Sequence, residues 1–162
     1  MNTVKCTCGC QGGCQNCCLG CQFNPCAVTC SSEFIREYGY VYNVTAQTVA
    51  ADAPVSFRSE GQLSPKIITP SDSAVELNST GVYLIEFYVN SAAEDEFTVY
   101  KNGAPVTGST YSSQAAGANI GKVIISAQKG DIITLVNTGT TDVVLDAADT
   151  TVNASVMIQR LF

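Results

Sequence analysis

The 162-residue sequence has no histidine. That absence removes the side chain most often used as a general base near neutral pH, and with it Ser-His and Cys-His nucleophilic sites. Charge is scarce: 14% of residues are Asp, Glu, Lys or Arg, where about a quarter is usual. The net charge is −6 and no basic cluster occurs, so nucleic acid is excluded as a partner. Apolar runs such as Val82–Ile85 and Val123–Ile125 are too short to span a bilayer. Met1–Lys5 leads straight into cysteines without an apolar stretch, so no secretory leader is expected. No phosphate-binding loop is present, and Lys129-Gly130-Asp131 reads as a β-turn. Beyond Cys30 cysteine is absent altogether.

All nine thiols crowd one stretch: Cys6, Cys8, Cys10, Cys14, Cys17, Cys18, Cys21, Cys26 and Cys30. Gly9, Gly12, Gly13 and Gly20 loosen this segment, and its few large apolar residues cannot build a core. Order there must come from cross-links, metal or neighbours. The C-x-C and C-x2-C spacings suit disulfides between chains and also zinc thiolate clusters. Disulfides are the preferred reading, with no cofactor. An odd count cannot pair completely within one chain. Because residues 31–162 offer no thiol, every disulfide must join arm to arm. Dense disulfides belong outside the reducing cytosol. Release by lysis, export without an N-terminal signal, or metal binding would each reconcile this with the missing leader.

The remainder reads as all-β. Residues 1–37 form a Cys-rich connector arm and linker, and residues 38–162 a head. Tyr38–Val44 alternates tyrosines with Val41. Val55-Ser-Phe57, Ile67–Pro70 and Ala74–Leu77 are short strands. Gly81–Asn90 is the strongest: Tyr83, Ile85, Phe87 and Val89 share one face, and Val82, Leu84, Glu86 and Tyr88 the other. A strand apolar on one face and half apolar on the other is covered on both sides, so the first face is assigned to the core and the second to a subunit interface. Asn102-Gly103 between β-prone runs marks a hairpin. Gly108–Ala118 is small and polar and reads as a loop. Ile120–Ala127, Ile132–Val136, Val143–Leu145 and Ala154–Phe162 complete the pattern. No helical periodicity persists, so a sandwich or barrel is expected.

The order of Gly81–Val89, the Val99–Gly103 hairpin, Ala127–Asn137 and Ala154–Arg160 resembles the complement-head and tumour-necrosis-factor-type jelly roll. The likeness is to its bacterial form at the C-terminal end of collagen-like spore-surface glycoproteins. The resemblance spans about Tyr38–Phe162. It implies a two-sheet antiparallel jelly-roll sandwich that trimerises. It also implies an extracellular location at the spore surface, reached by release from the mother cell without a signal peptide. No Gly-X-Y repeat precedes the head. A cysteine arm stands there instead, which is similar to subunits of spore appendage fibres.

The expected function is therefore structural, not enzymatic. Heads would trimerise through Tyr40, Tyr42, Val82, Leu84, Glu86, Tyr88, Ile158 and Arg160, with Glu86 and Arg160 meeting as a charge pair. The nine arm cysteines would cross-link stacked trimers. The partner is the chain itself, as homotrimer and polymer, with an anchor or tip protein as a further candidate. The alternatives are a metal-thiolate arm on a β carrier and a trimeric receptor- or ligand-binding head. Asp142, Asp146 and Asp149 lie close in sequence but lack a Gly-spaced calcium loop. Glu94-Asp95-Glu96 reads as a solvated loop, and the sequons at Asn43, Asn78 and Asn153 as ordinary strand and turn residues.

Overall fold

The computed structural model describes residues 37–145 and 150–162, and of the first 36 residues only the backbone of two short strands. Contacts divide the chain into Met1–Ile35 and Arg36–Phe162. In the first unit β1 (Cys6–Cys8) and β2 (Val28–Cys30) pair antiparallel, with Cys6 opposite Cys30.

The second unit holds twelve strands: β3 (Tyr38–Asn43), β4 (Gln47–Val49), β5 (Ser59–Leu63), β6 (Ile67–Ser71), β7 (Ala74–Leu77), β8 (Gly81–Ser91), β9 (Asp95–Lys101), β10 (Ala104–Ser113), β11 (Gly117–Ala127), β12 (Asp131–Asn137), β13 (Val143–Leu145) and β14 (Ala154–Arg160). One five-stranded sheet runs β11-β8-β14-β3-β5, the other β10-β9-β12-β7-β6, and β13 pairs with β4. Every pairing is antiparallel, and no helix occurs among the described residues. The chain crosses between the sheets repeatedly, as in a jelly-roll sandwich.

Strand β8 shows why the sheets stack. Its alternation turns Tyr83, Ile85, Phe87 and Val89 inward, all at most 1% exposed. They meet Phe97 and Val99 of β9, Ile133 and Leu135 of β12, and Val156 and Ile158 of β14. Each such side chain contributes about 1.5–3 kcal/mol by leaving water, so the parity of this one strand anchors the sandwich. Gly121 of β11 lies under the rings of Phe87 and Tyr111, where a Cβ would collide with both. Those rings meet edge-on, 5.9 Å apart at 85°.

The Asn102-Gly103 turn closes β9 onto β10 with φ of 52° and 78°, the positive pair that a type I′ hairpin requires. The Asn102 side chain fixes its exit: its amide donates to Asp131 Oδ1 (2.8 Å), and its oxygen accepts from Ile132 N (2.8 Å).

Two expectations change. Val55 and Phe57 are core residues, 0% and 6% exposed, but their segment is an irregular crossing outside any strand. Its backbone bonds go singly, from Val55 N to Leu135 O and from Phe57 N to Asp72 O. The polar stretch Gly108–Ala118 is mostly strand: β10 and β11 take it except for a short turn. On an edge strand polar residues satisfy the solvent face, and a bulge between Pro105 and Thr110 absorbs the irregularity. Buried Ser109 plugs that bulge, bonding both the N and the O of Val99 at 3.1 Å.

Candidate self-association face

The outer surface of the first sheet combines four strands. Opposite parity on β8 turns Val82, Leu84, Glu86 and Tyr88 outward, each half-buried. Register then builds rows across the sheet. Ile120 of β11 lies opposite Tyr88, followed by Ser155 and Tyr42; Lys122 lies opposite Glu86, followed by Met157 and Tyr40; Ile124 lies opposite Leu84, followed by Gln159 and Tyr38. The Tyr40 and Tyr42 rings stack at 5.5 Å and 20°. Ile120 is 59% exposed, Ile124 62%, Tyr38 45% and Met157 38%. On β3, β8, β11 and β14 the charges of this face are Glu86 and Lys122, directly opposite one another. The face is broad, apolar and aromatic, which is the composition of surfaces that meet protein.

Six of the eight residues expected at the interface, Tyr40, Tyr42, Val82, Leu84, Glu86 and Tyr88, share this face. Ile158 does not: it points into the sandwich and is 1% exposed. Its outward neighbour Met157 occupies the position on the face. Sequence reasoning missed Ile120, Ile124 and Met157, although the Ile-x-Lys-x-Ile alternation of β11 already placed 120 and 124 on one side.

Arg160 is likewise displaced from its expected pairing. Its guanidinium contacts Glu37 Oε1 at 3.1 Å and donates to Thr80 O at 2.7 Å. Glu86 sits on the opposite surface of the sheet. Glu37, read as linker, is 1% exposed and belongs to the head. Its other carboxylate oxygen accepts from Tyr83 Oη at 2.9 Å, and its carbonyl accepts from Arg160 N at 2.8 Å. Burial pushes the Tyr83 phenol well above its usual value; the bond to Glu37 and its negative charge push the same way, and Arg160 opposes them. Nearby, an open groove of about 470 Å³ is lined by Thr80, Gly81, Lys101, Ser126, Gln128 and Asp131. Asp131 titrates below the ordinary aspartate range. The main cause is its bond from Gln128 N (2.8 Å), then the Asn102 amide, then Lys101.

The Asp142 carboxylate accepts from Ala51 N at 3.3 Å; Asp146 and Asp149 lie outside the described residues. Among the described residues no three His, Cys, Asp or Glu side chains converge as metal ligands do. Asn43 and Asn153 are buried and bonded to each other at 2.9 Å, so two of the three sequons face the interior. Of the nine cysteines expected to cross-link, Cys6, Cys8 and Cys30 are described as strand backbone only, and the other six lie outside the described residues.

The fold defines a jelly-roll head of the complement and tumour-necrosis-factor type. Solved structures agree. The globular domain of zebrafish complement 1qA superposes with a TM-score of 0.59 at 12% identity, covering 78% of this chain and 98% of that one. The Eiger TNF of S. frugiperda gives 0.60 at 14%, with 78% and 92% covered. Murine APRIL gives 0.57 at 14%, with 78% and 99% covered. At such identities the likeness concerns the fold. No curated protein matches the chain in sequence. Residues 39–162 match the BclA C-terminal domain, and the chain belongs to that family, the heads of collagen-like exosporium proteins.

Proposed function

We propose that the chain is a structural subunit of an extracellular filament or appendage of the spore surface. Three heads pack through the outer face of the β11-β8-β14-β3-β5 sheet, and the cysteine arms join one trimer to the next by disulfides. The observation that carries this reading is the uncovered apolar face, on which Ile120 and Ile124 stand more than half exposed. Membership of the BclA C-terminal domain family supports the exosporium location, and heads of this fold are typically homotrimers. The nine thiols supply the covalent links, and disulfides between chains keep the unfolded state tethered. Anchoring to the spore would fall to a separate partner.

Native material should appear as filaments by electron microscopy. The filaments should survive boiling in detergent and separate into single chains once reductant is added. Fibres that stay intact after full reduction would overturn the covalent link. A second reading, a discrete ligand-binding head, draws on the groove beside Lys101 and Asp131. It calls for soluble trimers without filaments on the same grids. A metal-thiolate arm would show as several zinc or copper ions per chain in elemental analysis.

A further inference from the structure

The head is electrically polar along its strands. Its proximal end is where Glu37 starts the domain. Cross-sheet contacts gather Lys66, Lys101, Lys129 and Arg160 there: Lys66 O accepts from Asn78 N, Lys101 Nζ donates to Ser126 O, Lys129 N donates to Thr80 Oγ1, and Arg160 reaches Thr80 O. Against these four cations stand Glu37, Glu76 and Asp131. Both ion pairs among the described residues, Glu37–Arg160 and Lys101–Asp131, lie at this end. Lys66 and Lys129 are exposed and belong to neither pair.

The distal end, where β8 finishes at Ser91, has the reverse character. Asp95 accepts from Ser91 Oγ (2.5 Å) and Asn119 Nδ2 (2.6 Å), and Thr138 N bonds Glu96 O. Asp52 N bonds Asn137 O, and Asp142 accepts from Ala51 N. With exposed Glu94, that makes five carboxylates and no cation among the described residues. Of the remaining described cations, Arg58 sits beside edge strand β5 and Lys122 in the middle of β11. The first 36 residues carry two cations, Lys5 and Arg36, and one carboxylate, Glu33.

We infer that the distal acidic end of one head docks on the proximal basic end of another copy, so that Lys66 and Lys129 face Glu94 and Asp142 across a head-to-tail contact. This rests on the filament reading above and adds to it a direction and a salt-sensitive encounter step. Two different patches of one chain that attract each other form a heterologous contact, which propagates as an open stack. Complementary ends of this sort speed encounter and suppress the inverted pairing, in which like charges would meet. The disulfides would then lock a register that charge has already selected.

The test uses the full chain under reductant, so that no thiol can link subunits, followed by sedimentation velocity at low and high sodium chloride. Wild type should form end-to-end oligomers that weaken at least about tenfold between 20 mM and 500 mM salt, since the Debye length falls to a few ångströms over that range. K66E/K129E should abolish them, and so should E94K/D142K, because each sets like charges against one another where Lys66 and Lys129 would face Glu94 and Asp142. The quadruple variant restores opposite charges across the facing positions and should restore association. Glu94→Lys alone, in an exposed loop, should weaken stacking even if the Asp142 change disturbs folding. Oligomers indifferent to both double variants, or a quadruple variant that fails to recover, overturn the proposal. So does association that needs calcium chloride and survives K66E/K129E, because acidic ends would then be meeting through a cation. Failure of the filament reading shows separately, as oxidised wild type that forms no filaments by electron microscopy.

Discussion

Glu37 and Arg160 are 123 positions apart in sequence and 3.1 Å apart in the fold, where they join the first described residue of the head to the last residue of its final strand. The carboxylate is buried, its side chain 1% exposed, while the guanidinium keeps 20%. Tyr83 completes the cluster from beneath. A buried pair of this kind is worth little over a well-packed apolar pair, but either half alone is costly.

Arg160→Met should therefore destabilise the head by about 3–5 kcal/mol, because it strands the Glu37 carboxylate away from water. Adding Glu37→Leu should recover most of that loss. Urea denaturation of reduced protein measures both. A double variant no more stable than Arg160→Met would show that the cost came from the packing of Arg160 rather than from the orphaned charge.

The Tyr83 phenol makes the fold sensitive to alkali. Its folded pKa lies above its unfolded one, so its stabilising contribution is complete below about pH 10 and declines as pH rises past that value, where only the unfolded chain releases the proton. Melting temperature should fall between pH 10 and pH 12. Tyr83→Phe should melt lower at pH 7, having lost the bond to Glu37, yet show a flatter decline above pH 10. Parallel alkaline slopes in the two proteins would exclude Tyr83 as the source.

Asp131 governs the other edge of the pH range. Its folded pKa is depressed, so the stability it contributes is fully present above the unfolded value near 3.9 and disappears as pH falls through the folded one. Asp131→Asn should flatten the melting profile below pH 4. It should also loosen the Asn102-Gly103 hairpin, read as faster amide exchange at Ile132.

Ile124→Glu tests the association face. The side chain is 62% exposed in the single chain, so the head should keep its own stability within about 0.5 kcal/mol. In a trimer that covers this face, the added carboxylate would be buried without a partner, at a cost of several kcal/mol. Sedimentation should show monomers, with an unchanged circular dichroism spectrum. A trimer that persists would move the contact to another surface.

Gly121→Ala asks how tightly the β11 side of the core is built. The added methyl group meets the rings of Phe87 and Tyr111. Overpacking of this sort costs about 1–3 kcal/mol, which chemical denaturation resolves.

Much of this fold was readable one strand at a time. The alternation of β8 separates a fully apolar face from a half-apolar one, and the core took the first, as expected. Asn102-Gly103 announced its turn because few residue pairs accept two positive φ angles. The Val156-Met157-Ile158 run was ambiguous, since three apolar residues in succession conceal which parity faces inward. Pairing with β3 and β8 decided it: Ile158 went to the core and Met157 to the surface. Polar β10 carried no strand signal, because an edge strand needs few apolar residues.

Local chemistry alone was thus enough to establish an all-β head, a separate thiol-bearing segment without a counterpart elsewhere in the chain, and a half-apolar outward face on β8. Those properties follow from side-chain alternation and from composition, which act over a few residues. Register and sheet stacking assigned Arg160 to Glu37 instead of Glu86, assembled Ile120, Ile124 and Met157 into one surface, and gathered Lys66, Lys101, Lys129 and Arg160 at one end of the head. These depend on which residues, distant in sequence, come to lie side by side when the strands pair.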